Sequence, residues 1–341
     1  MRMDDTLSTT IAGLTRPGKG ILAADESQPT ITKRFQALGI ESTEETRRRY
    51  RSLLLTAPGA EAHLGGVILF EETLAQRADD GTPLLDVLKQ RGILAGIKVD
   101  KGTTPLPNAQ GDLITQGLDG LAERLQAYRA QGARFAKWRE VYAITDHNPT
   151  PLGIAANAEV LARYAAICQH EGIVPIVEPE VLIDGEHSIE RSYEVNEAVL
   201  YAVFHALARH KVILEGIVLK PSMVLPGNKN PAKASPNEVA TATVTVLLRT
   251  VPAAVPTINF LSGGQSPEDA TANLNAMNAM STRAPWTLSF SYARALRDPA
   301  MRAWGGREES VKAAQDAFLR RLQMNALAID GKWSADKERA A

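Results

Sequence analysis

The sequence predicts an α/β protein folded as a single-domain (β/α)8 barrel, and three observations support this. Short β-like runs alternate with longer helical patterns along nearly the whole chain, as in sheets built from βα units. Eight such runs can be counted, and eight parallel strands close the TIM-barrel architecture. No short-period repeat, low-complexity block or Gly/Ser linker interrupts the series, so residues 1–341 are assigned to one domain.

The predicted strands are short, mainly apolar runs. In chain order they cover residues 18–25, 65–70, 96–100, 135–139, 173–180, 214–220, 257–264 and 286–292. Barrel strands are buried on both faces and are ordinarily apolar, so charged side chains within these runs call for pairing or for a function.

The predicted helices lie between the strands and would form the outer ring. The clearest start is the capping-box pattern Ser42-Thr-Glu-Glu45, which predicts a helix over residues 46–55. Apolar residues at helical spacing predict the others, over residues 119–131, 157–170, 192–210, 238–250, 266–280 and 310–328. Residues 331–341 are polar, and we expect a short loose tail there.

Composition narrows the class of partner. The chain is 44% hydrophobic with a net charge of −1 and scattered basic residues, so neither nucleic acid nor an anionic membrane surface is predicted. The opening MRMDDTLS lacks the apolar core of a secretory signal, and no stretch approaches the roughly 20 apolar residues of a membrane span. We expect a cytoplasmic protein with a small-molecule partner. Cys168 is the only cysteine and is predicted to pack in a helix face.

Reactive residues crowd at the ends of the predicted strands, where barrel active sites lie. Pairs at a spacing of two residues point to the same side of a strand. Such pairs are Lys98 with Asp100, Lys137 with Arg139, and Glu178 with Glu180. Simple alternation on an exposed strand is the competing explanation for any one pair.

Lys220 ends an apolar run just before a proline, which suggests imine chemistry, because a desolvated amine beside a second cation can stay neutral and attack a carbonyl. In this interpretation Lys137 is the neighbouring cation. Glu178 moves protons to and from the carbinolamine, and Asp25 takes a proton from a substrate hydroxyl as a carbon–carbon bond breaks. No metal or cofactor is required, and the six histidines form no recognised ligand motif. The competing reading of Lys220 alone is a solvated strand end.

Two anion sites are predicted. The turn Ser262-Gly263-Gly264 stands between the seventh strand and a helix, a place where barrels often bind phosphate, and Arg294 could add a charge-assisted contact. A second site is predicted on the opposite rim. There the run Asp25-Glu-Ser27 is followed by Thr30, Lys33 and Arg34, for which a helix cap with solvated bases is the alternative.

These strand-end motifs resemble those of the class I (Schiff-base) fructose-bisphosphate aldolases. The resemblance covers roughly residues 17–332. Its motifs are PGKGILAADES, GGVILFEETL, GIKVDKG, FAKWR, GIVPIVEPE, LEGIVLKPSMVLPG, FLSGGQS and FSYARAL. It implies reversible cleavage of fructose 1,6-bisphosphate to dihydroxyacetone phosphate and glyceraldehyde 3-phosphate, hence a role in glycolysis and gluconeogenesis. Sedoheptulose bisphosphate, fructose 1-phosphate and a non-catalytic scaffold remain alternatives.

The resemblance also implies residue roles. It makes Lys220 the imine lysine, Glu178 the general acid/base and Asp25 the carboxylate at the cleaved bond. Lys137 is similar to the assisting cation and Glu180 to its carboxylate neighbour. The phosphate nearer the ketone matches Ser262, Gly263 and Arg294, and the distal phosphate and sugar hydroxyls match Ser27, Thr30, Arg34, Lys98 and Arg139.

Three departures from animal members bear on these roles. Gln28-Pro29-Thr30 replaces the usual Thr-Gly-Ser, and Ala293 stands where glycine is common. The sequence ends at Ala341 without the tyrosine-terminated tail, and its last tyrosine, Tyr292, falls in a predicted strand. We expect slower protonation of the enamine and slow isotope exchange at dihydroxyacetone phosphate. Members of the family commonly form tetramers, so the resemblance implies that this chain forms a homo-oligomer with four subunits.

Overall fold

Eight parallel strands form a closed barrel in a computed structural model that describes residues 5–280 and 284–340. The predicted fold class is confirmed. The strands are β1 (Gly20–Ala24), β2 (Leu64–Leu69), β3 (Leu94–Lys98), β4 (Thr103–Pro105), β5 (Leu113–Thr115), β6 (Phe135–Tyr142), β7 (Val174–Val181), β8 (Val218–Leu219), β9 (Thr257–Phe260) and β10 (Thr287–Tyr292). Around the barrel the order is β1-β10-β9-β8-β7-β6-β3-β2, while β4 and β5 form a separate antiparallel hairpin.

Helices surround this barrel. They are α1 (Asp5–Leu14), α2 (Gln28–Gln36), α3 (Glu44–Leu55), α4 (Glu71–Leu74), α5 (Leu84–Gln90), α6 (Leu121–Gln131), α7 (Pro151–His170), α8 (Ile189–Arg209), α9 (Pro236–Thr250), α10 (Pro267–Ala279), α11 (Arg294–Trp304), α12 (Val311–Ile329) and α13 (Ala335–Ala340). Over the described ranges, none of them is long and apolar enough to cross a membrane.

The structure adds elements that the sequence patterns did not predict. These are helices such as α1, α2, α5 and α11, and the β4–β5 hairpin. Helices α2 and α5 and the hairpin are short, whereas α1 does carry Leu7, Ile11 and Leu14 at helical spacing, so its pattern was readable and was missed. The run at 214–220 also differs from its prediction. It begins as a 3-10 turn over Leu214–Gly216, and only Val218–Leu219 pair as a strand.

The start of α3 corrects the predicted capping box. Thr43, not Ser42, is the N-cap, and its hydroxyl accepts the Thr46 N–H at 3.1 Å while the Thr46 hydroxyl accepts the Thr43 N–H at 2.8 Å. A threonine at the third helical position therefore replaces the expected glutamate, because its hydroxyl also reaches the N-cap backbone.

The tail differs from the loose segment expected after residue 331. Helix α13 lies against α12, where the Glu338 carboxylate contacts the buried Arg321 guanidinium and accepts a hydrogen bond from Trp333 Nε1 at 2.8 Å. A buried guanidinium needs a counter-charge, and Glu338 supplies it. Composition alone did not reveal this partner.

Two apolar clusters fill the protein. The larger one lies between the strands and the helical ring. The smaller one lies inside the barrel, where Leu7, Ile11 and Leu14 of α1 pack with Phe135 and Val174 at the N-terminal ends of the strands. This inner cluster also includes Ala23, Ile176 and Val218. It is the layer on which the functional side chains rest.

Candidate active site

A cavity of about 320 Å³ opens at the C-terminal ends of the strands. Thirteen of the fourteen predicted site residues line it, and Gly264 is the exception. Each of four central residues stands two positions after a residue of the inner apolar cluster on the same strand or its continuation. Ala23 is followed by Asp25, Phe135 by Lys137, Ile176 by Glu178, and Val218 by Lys220. Because side chains repeat every two residues along a strand, one layer packs and the next carries charge.

These four charged groups form a continuous chain, which we call the central charge chain. Lys220 Nζ lies 3.1 Å from Glu178 Oε1, and Lys137 Nζ lies 3.3 Å from Glu178 Oε2. Lys137 Nζ also lies 2.7 Å from Asp25 Oδ2. All four are buried, so each charge is balanced by the next rather than by solvent.

The ionisation of this chain follows from burial and pairing. Burial alone would raise the pKa of Asp25, but the positive charges of Lys137 and Lys220 outweigh it and lower the pKa below its usual value. Burial would lower the pKa of Lys137, but Asp25 and Glu178 outweigh it and raise the pKa. Asp25 is therefore a carboxylate and Lys137 a cation at neutral pH. Because Lys137 is itself paired, its repulsion of Lys220 is weaker than the sequence alone suggested.

A second pair of ions lines the wall beside the chain. Lys98 Nζ donates to Asp100 Oδ1 at 2.5 Å and to the Asp100 carbonyl at 2.8 Å. Arg139 Nε contacts Glu180 Oε2, and Glu180 raises the pKa of Arg139 although burial opposes it. The predicted pairs thus face one cavity. Lys98 is bound by Asp100 two residues further along the chain, and Arg139 is bound by Glu180 on the neighbouring strand β7.

The turn after β9 has the geometry of an anion site. Gly263 and Gly264 adopt φ of 55° and 91°, a region that favours glycine. A Cβ at Gly264 would lie 3.3 Å from Arg294 Nη2, so this glycine contacts the arginine without lining the cavity. Ala293 has a φ of −102° and a ψ of −88°, outside the left-handed region, so the departure from glycine creates no positive-φ strain there.

The residues of the opposite rim were predicted as an anion site, with a helix cap and solvated bases as the alternative. Ser27 is the N-cap residue of α2, and its Oγ lies 3.1 Å from Thr30 Oγ1. Arg34 forms an ion pair with Asp298 of α11 at 3.3 Å. Ser27, Thr30 and Arg34 all line the cavity as well. Ser27 therefore holds the N-cap position of α2 without a side-chain capping hydrogen bond, and all three residues belong to the cavity.

The acidic pair Glu71-Glu72 at the end of β2 serves the scaffold. The Tyr128 hydroxyl donates to Glu71 Oε1 at 2.9 Å, and Arg47 donates to both oxygens of Glu72 at 2.8–3.0 Å. Neither residue lines the cavity. Tyr292 is likewise buried in β10, where its hydroxyl donates to the Ala270 carbonyl at 2.9 Å.

Several cavity residues escaped the sequence analysis. Glu26 is buried between two arginines, at 2.7 Å from Arg51 Nη2 and in contact with Arg297 Nη1. Both Glu26 and Arg297 line the cavity. Glu26 stands between the predicted Asp25 and Ser27, which was the available signal. Nothing local marked Arg51 or Arg297, because their burial depends on distant helices.

A buried lysine joined to carboxylates at the mouth of a (β/α)8 barrel defines an enzyme site suited to covalent amine catalysis. A family model described as fructose-bisphosphate aldolase class-I matches residues 6–341. The chain belongs to the class I fructose-bisphosphate aldolase family.

Individual relatives match over nearly the whole chain. It is 55% identical over 332 residues to the cytosolic fructose-bisphosphate aldolase 6 of Arabidopsis thaliana, covering 97% of this chain and 92% of that protein. It is 52% identical over 336 residues to fructose-bisphosphate aldolase C of Rattus norvegicus, covering 98% and 93%. A structure of fructose-bisphosphate aldolase from Plasmodium falciparum, in complex with TRAP and a small-molecule inhibitor, superposes with a TM-score of 0.96 at 47% identity and covers 98% of each chain.

Proposed function

We propose that this chain catalyses the reversible aldol cleavage of fructose 1,6-bisphosphate to dihydroxyacetone phosphate and glyceraldehyde 3-phosphate, through a Schiff base on Lys220. Membership of the class I family supports this reaction, its independence of metal and its place in glycolysis and gluconeogenesis. The observation that carries the residue roles is the central charge chain, in which Lys220, Glu178, Lys137 and Asp25 follow one another at 2.7–3.3 Å.

The first step forms the imine. Lys220 gives a proton to Glu178, its ion-pair partner, and the free amine attacks the ketone carbon at C2, whose oxygen takes a proton to give a carbinolamine. Glu178, at 3.1 Å from Lys220 Nζ, is placed to pass a proton to the carbinolamine hydroxyl, which leaves as water. Lys137 supports this role because its cation, 3.3 Å from Glu178 Oε2, holds that carboxyl group in place.

The second step breaks the bond between C3 and C4. Asp25 accepts the C4 hydroxyl proton, the C4–O bond becomes the aldehyde of glyceraldehyde 3-phosphate, and the bonding electrons move to the iminium nitrogen. The product on Lys220 is an enamine. The low pKa of Asp25 keeps it a carboxylate ready for that proton. Protonation at C3 and addition of one water then release dihydroxyacetone phosphate and the free lysine.

The two phosphates are bound at opposite ends of the cavity in this proposal. The turn Ser262-Gly263-Gly264 with Arg294 binds the phosphate nearer the ketone. The distal end is bound by residues of the other rim, which are Ser27, Thr30, Arg34, Lys98 and Arg139. Glu180 orients Arg139 there through their direct ion pair.

Trapping the imine tests the proposal. The protein is incubated with dihydroxyacetone phosphate and borohydride in excess chelator, and the adduct is mapped by peptide mass spectrometry. We expect a stable adduct on Lys220 and unchanged cleavage of fructose 1,6-bisphosphate with chelator present. Lys220→Met should abolish both, whereas Lys98→Met, which removes another cavity amine, should keep the adduct. An adduct on another lysine, or cleavage abolished by chelator, would overturn the mechanism.

We further propose that the protein is cytoplasmic and that it forms a homotetramer. The names of relatives from Arabidopsis thaliana and Spinacia oleracea, which include "cytosolic" and "cytoplasmic", support the location. The family resemblance supports the assembly. Sedimentation equilibrium gives the mass directly, and a single species at the monomer mass across micromolar concentrations would rule the tetramer out.

A further inference from the structure

Glu140 is a buried carboxylate outside the cavity that is held by neutral donors. It follows Arg139 on β6 and is fully buried. Trp138 Nε1 donates to Oε1 at 2.8 Å, and the Thr115 N–H donates to Oε2 at 3.2 Å. Burial raises its pKa to about 7, although both hydrogen bonds favour the charged form. A charge that is unfavourable to bury and lies beside a site residue is a candidate for a functional role.

One of these donors belongs to the hairpin on the barrel rim. Thr115 ends β5, and its hydroxyl donates to the Arg139 carbonyl at 2.8 Å while its N–H binds Glu140. Thr115 is thus bound to two consecutive residues of β6. Asn157 of α7 gives the hairpin a further anchor by donating to the Leu113 carbonyl at 2.9 Å.

The hairpin carries this anchorage to the cavity wall. Thr115 is paired with Thr103 across the two strands. The Lys101 N–H donates to the Gln116 carbonyl, and the Gln116 N–H donates to the Gly102 carbonyl, both at 2.8 Å. Gly102 and Thr103 line the cavity beside Lys98 and Asp100. Thr115 is therefore one of the contacts that set the position of this wall, together with Arg124, which donates to the Val99 carbonyl at 2.9 Å.

We propose that Glu140 is a positioning residue for substrate binding, which fixes the β4–β5 hairpin and through it the cavity wall at residues 100–103. This inference rests on the proposed function, in which Lys98 and Arg139 on the same side bind the phosphate distal to the ketone. Glu140 does not touch substrate. It sets the affinity for the distal half of a sugar bisphosphate and leaves the imine chemistry at Lys220 unchanged.

Glu140→Gln tests this with little change of shape. Glutamine has one carbonyl oxygen, so its amide group faces one of the two N–H donors and leaves that donor unpaired. We expect KM for fructose 1,6-bisphosphate to rise about tenfold, or about 1.4 kcal/mol, with kcat within about threefold. Dihydroxyacetone phosphate reaches only the ketone half, so its half-saturating concentration in borohydride trapping on Lys220 should change less than about twofold.

A second variant and a matched control complete the test. Thr115→Val removes the hydrogen bond to the Arg139 carbonyl and should raise the same KM by about threefold. In the double variant, the change in the free energy of substrate binding should be smaller than the sum of the two single changes. Tyr142→Phe is the control, because it removes a buried hydroxyl from the same strand and leaves both Glu140 hydrogen bonds intact. It should leave both constants unchanged.

The outcomes separate this proposal from the function on which it rests. If the wild-type protein neither traps on Lys220 nor cleaves the bisphosphate, the proposed function fails. If it does both, a bisphosphate KM of Glu140→Gln within about twofold of wild type overturns the role of Glu140, whatever Thr115→Val does. Equal increases for the bisphosphate and for dihydroxyacetone phosphate also overturn it, because they indicate a general disturbance of the barrel. Should Glu140→Gln fail to fold, Glu140→Asp, which keeps the carboxylate but shortens its reach to the Thr115 N–H and to Trp138 Nε1, decides by the same two constants.

Discussion

The two ends of the barrel interior use the same strands for opposite purposes. At the N-terminal end, Phe135 packs against Leu14 of α1, and Gly66 leaves room for both side chains. Two residues further along, Lys137 on the same face of β6 forms ion pairs with Asp25 and Glu178. Stability is concentrated in the first layer and chemistry in the second. A repeat of two residues is thus enough to change what one strand does.

The charged layer is tolerated because almost every charge in it has a partner of opposite sign. Burying an isolated ion is very unfavourable, and pairing offsets much of that. The apolar layer beneath excludes water and strengthens the interactions above it. Glu140 lies behind this layer and departs from the pattern, because its hydrogen-bond donors are neutral.

The largest effect is expected from removing the shared cation of the charged layer. Lys137→Met leaves the Asp25 and Glu178 carboxylates without their common partner, so the pKa of the buried Asp25 should rise, although Lys220 still lowers it, and proton transfer at both carboxylates should be impaired. We expect kcat/KM for fructose 1,6-bisphosphate to fall about 10³-fold, or about 4 kcal/mol. Steady-state kinetics checks this. Lys137→Arg, which keeps the charge, should lose less, and a Met variant within tenfold of wild type would contradict the role of the cation.

The next largest effect is expected in the pH dependence of stability, which depends on Glu140, the carboxylate held by neutral donors. The folded state raises the pKa of Glu140 from 4.5 to about 7, so its contribution to stability is complete below about pH 4.5 and is lost as the pH rises through 7. The free energy of unfolding of wild type, relative to Glu140→Gln, should fall by about 2.5 kcal/mol between about pH 5 and pH 8. Urea denaturation of both proteins across that range measures it. Parallel curves would mean that Glu140 ionises normally.

A smaller loss of stability is expected at the apolar end. A Cβ at Gly66 would lie 2.7 Å from Leu14 Cδ2 and 2.9 Å from two ring atoms of Phe135. Gly66→Ala should therefore lower the free energy of unfolding by about 2 kcal/mol through overpacking, with kcat of the folded enzyme unchanged. Urea denaturation checks the first and steady-state kinetics the second. The double variant Gly66→Ala, Leu14→Ala should lose less free energy of unfolding than the sum of the losses in the two single variants. Strict additivity would argue against this contact.

The smallest effect is expected at the phosphate turn. Gly264→Ala places a Cβ 3.3 Å from Arg294 Nη2, so the guanidinium must move, and we expect the half-saturating dihydroxyacetone phosphate concentration to rise about threefold, or about 0.7 kcal/mol. Trapping with borohydride measures it. Gly305→Ala is the control, since Gly305 also has a positive φ but its nearest neighbours are 3.9 Å away. Equal effects in the two variants would show that backbone strain, not Arg294, is responsible.

Much of the site was readable from the chain because strand ends in a barrel converge. Lys220, Glu178, Lys137 and Asp25 each end an apolar run, and closure of eight strands brings such ends together whatever the helices do. Glu71 also follows a strand but bonds to Tyr128 away from the cavity. A strand end therefore places a residue near the rim and does not decide which way it points.

Contacts between distant segments were not readable. Arg51 and Arg297 look like ordinary polar residues of helices, yet α3 and α11 bring them onto Glu26. The β4–β5 hairpin lies in a polar loop with no strand periodicity, and it is held to the barrel by contacts that include Thr115 with β6 and Asn157 of α7.

The sequence by itself determined the barrel, the family and the residues of the central charge chain, because all three depend on local period and on the order of strands. The tertiary structure alone decided how the charges pair, that Ser27 stands at the N-cap of α2 and lines the cavity, and that Glu140 binds the hairpin next to the wall beside Lys98. The physical reason is that ion pairing and burial depend on distances between residues far apart in the chain, which no local pattern specifies.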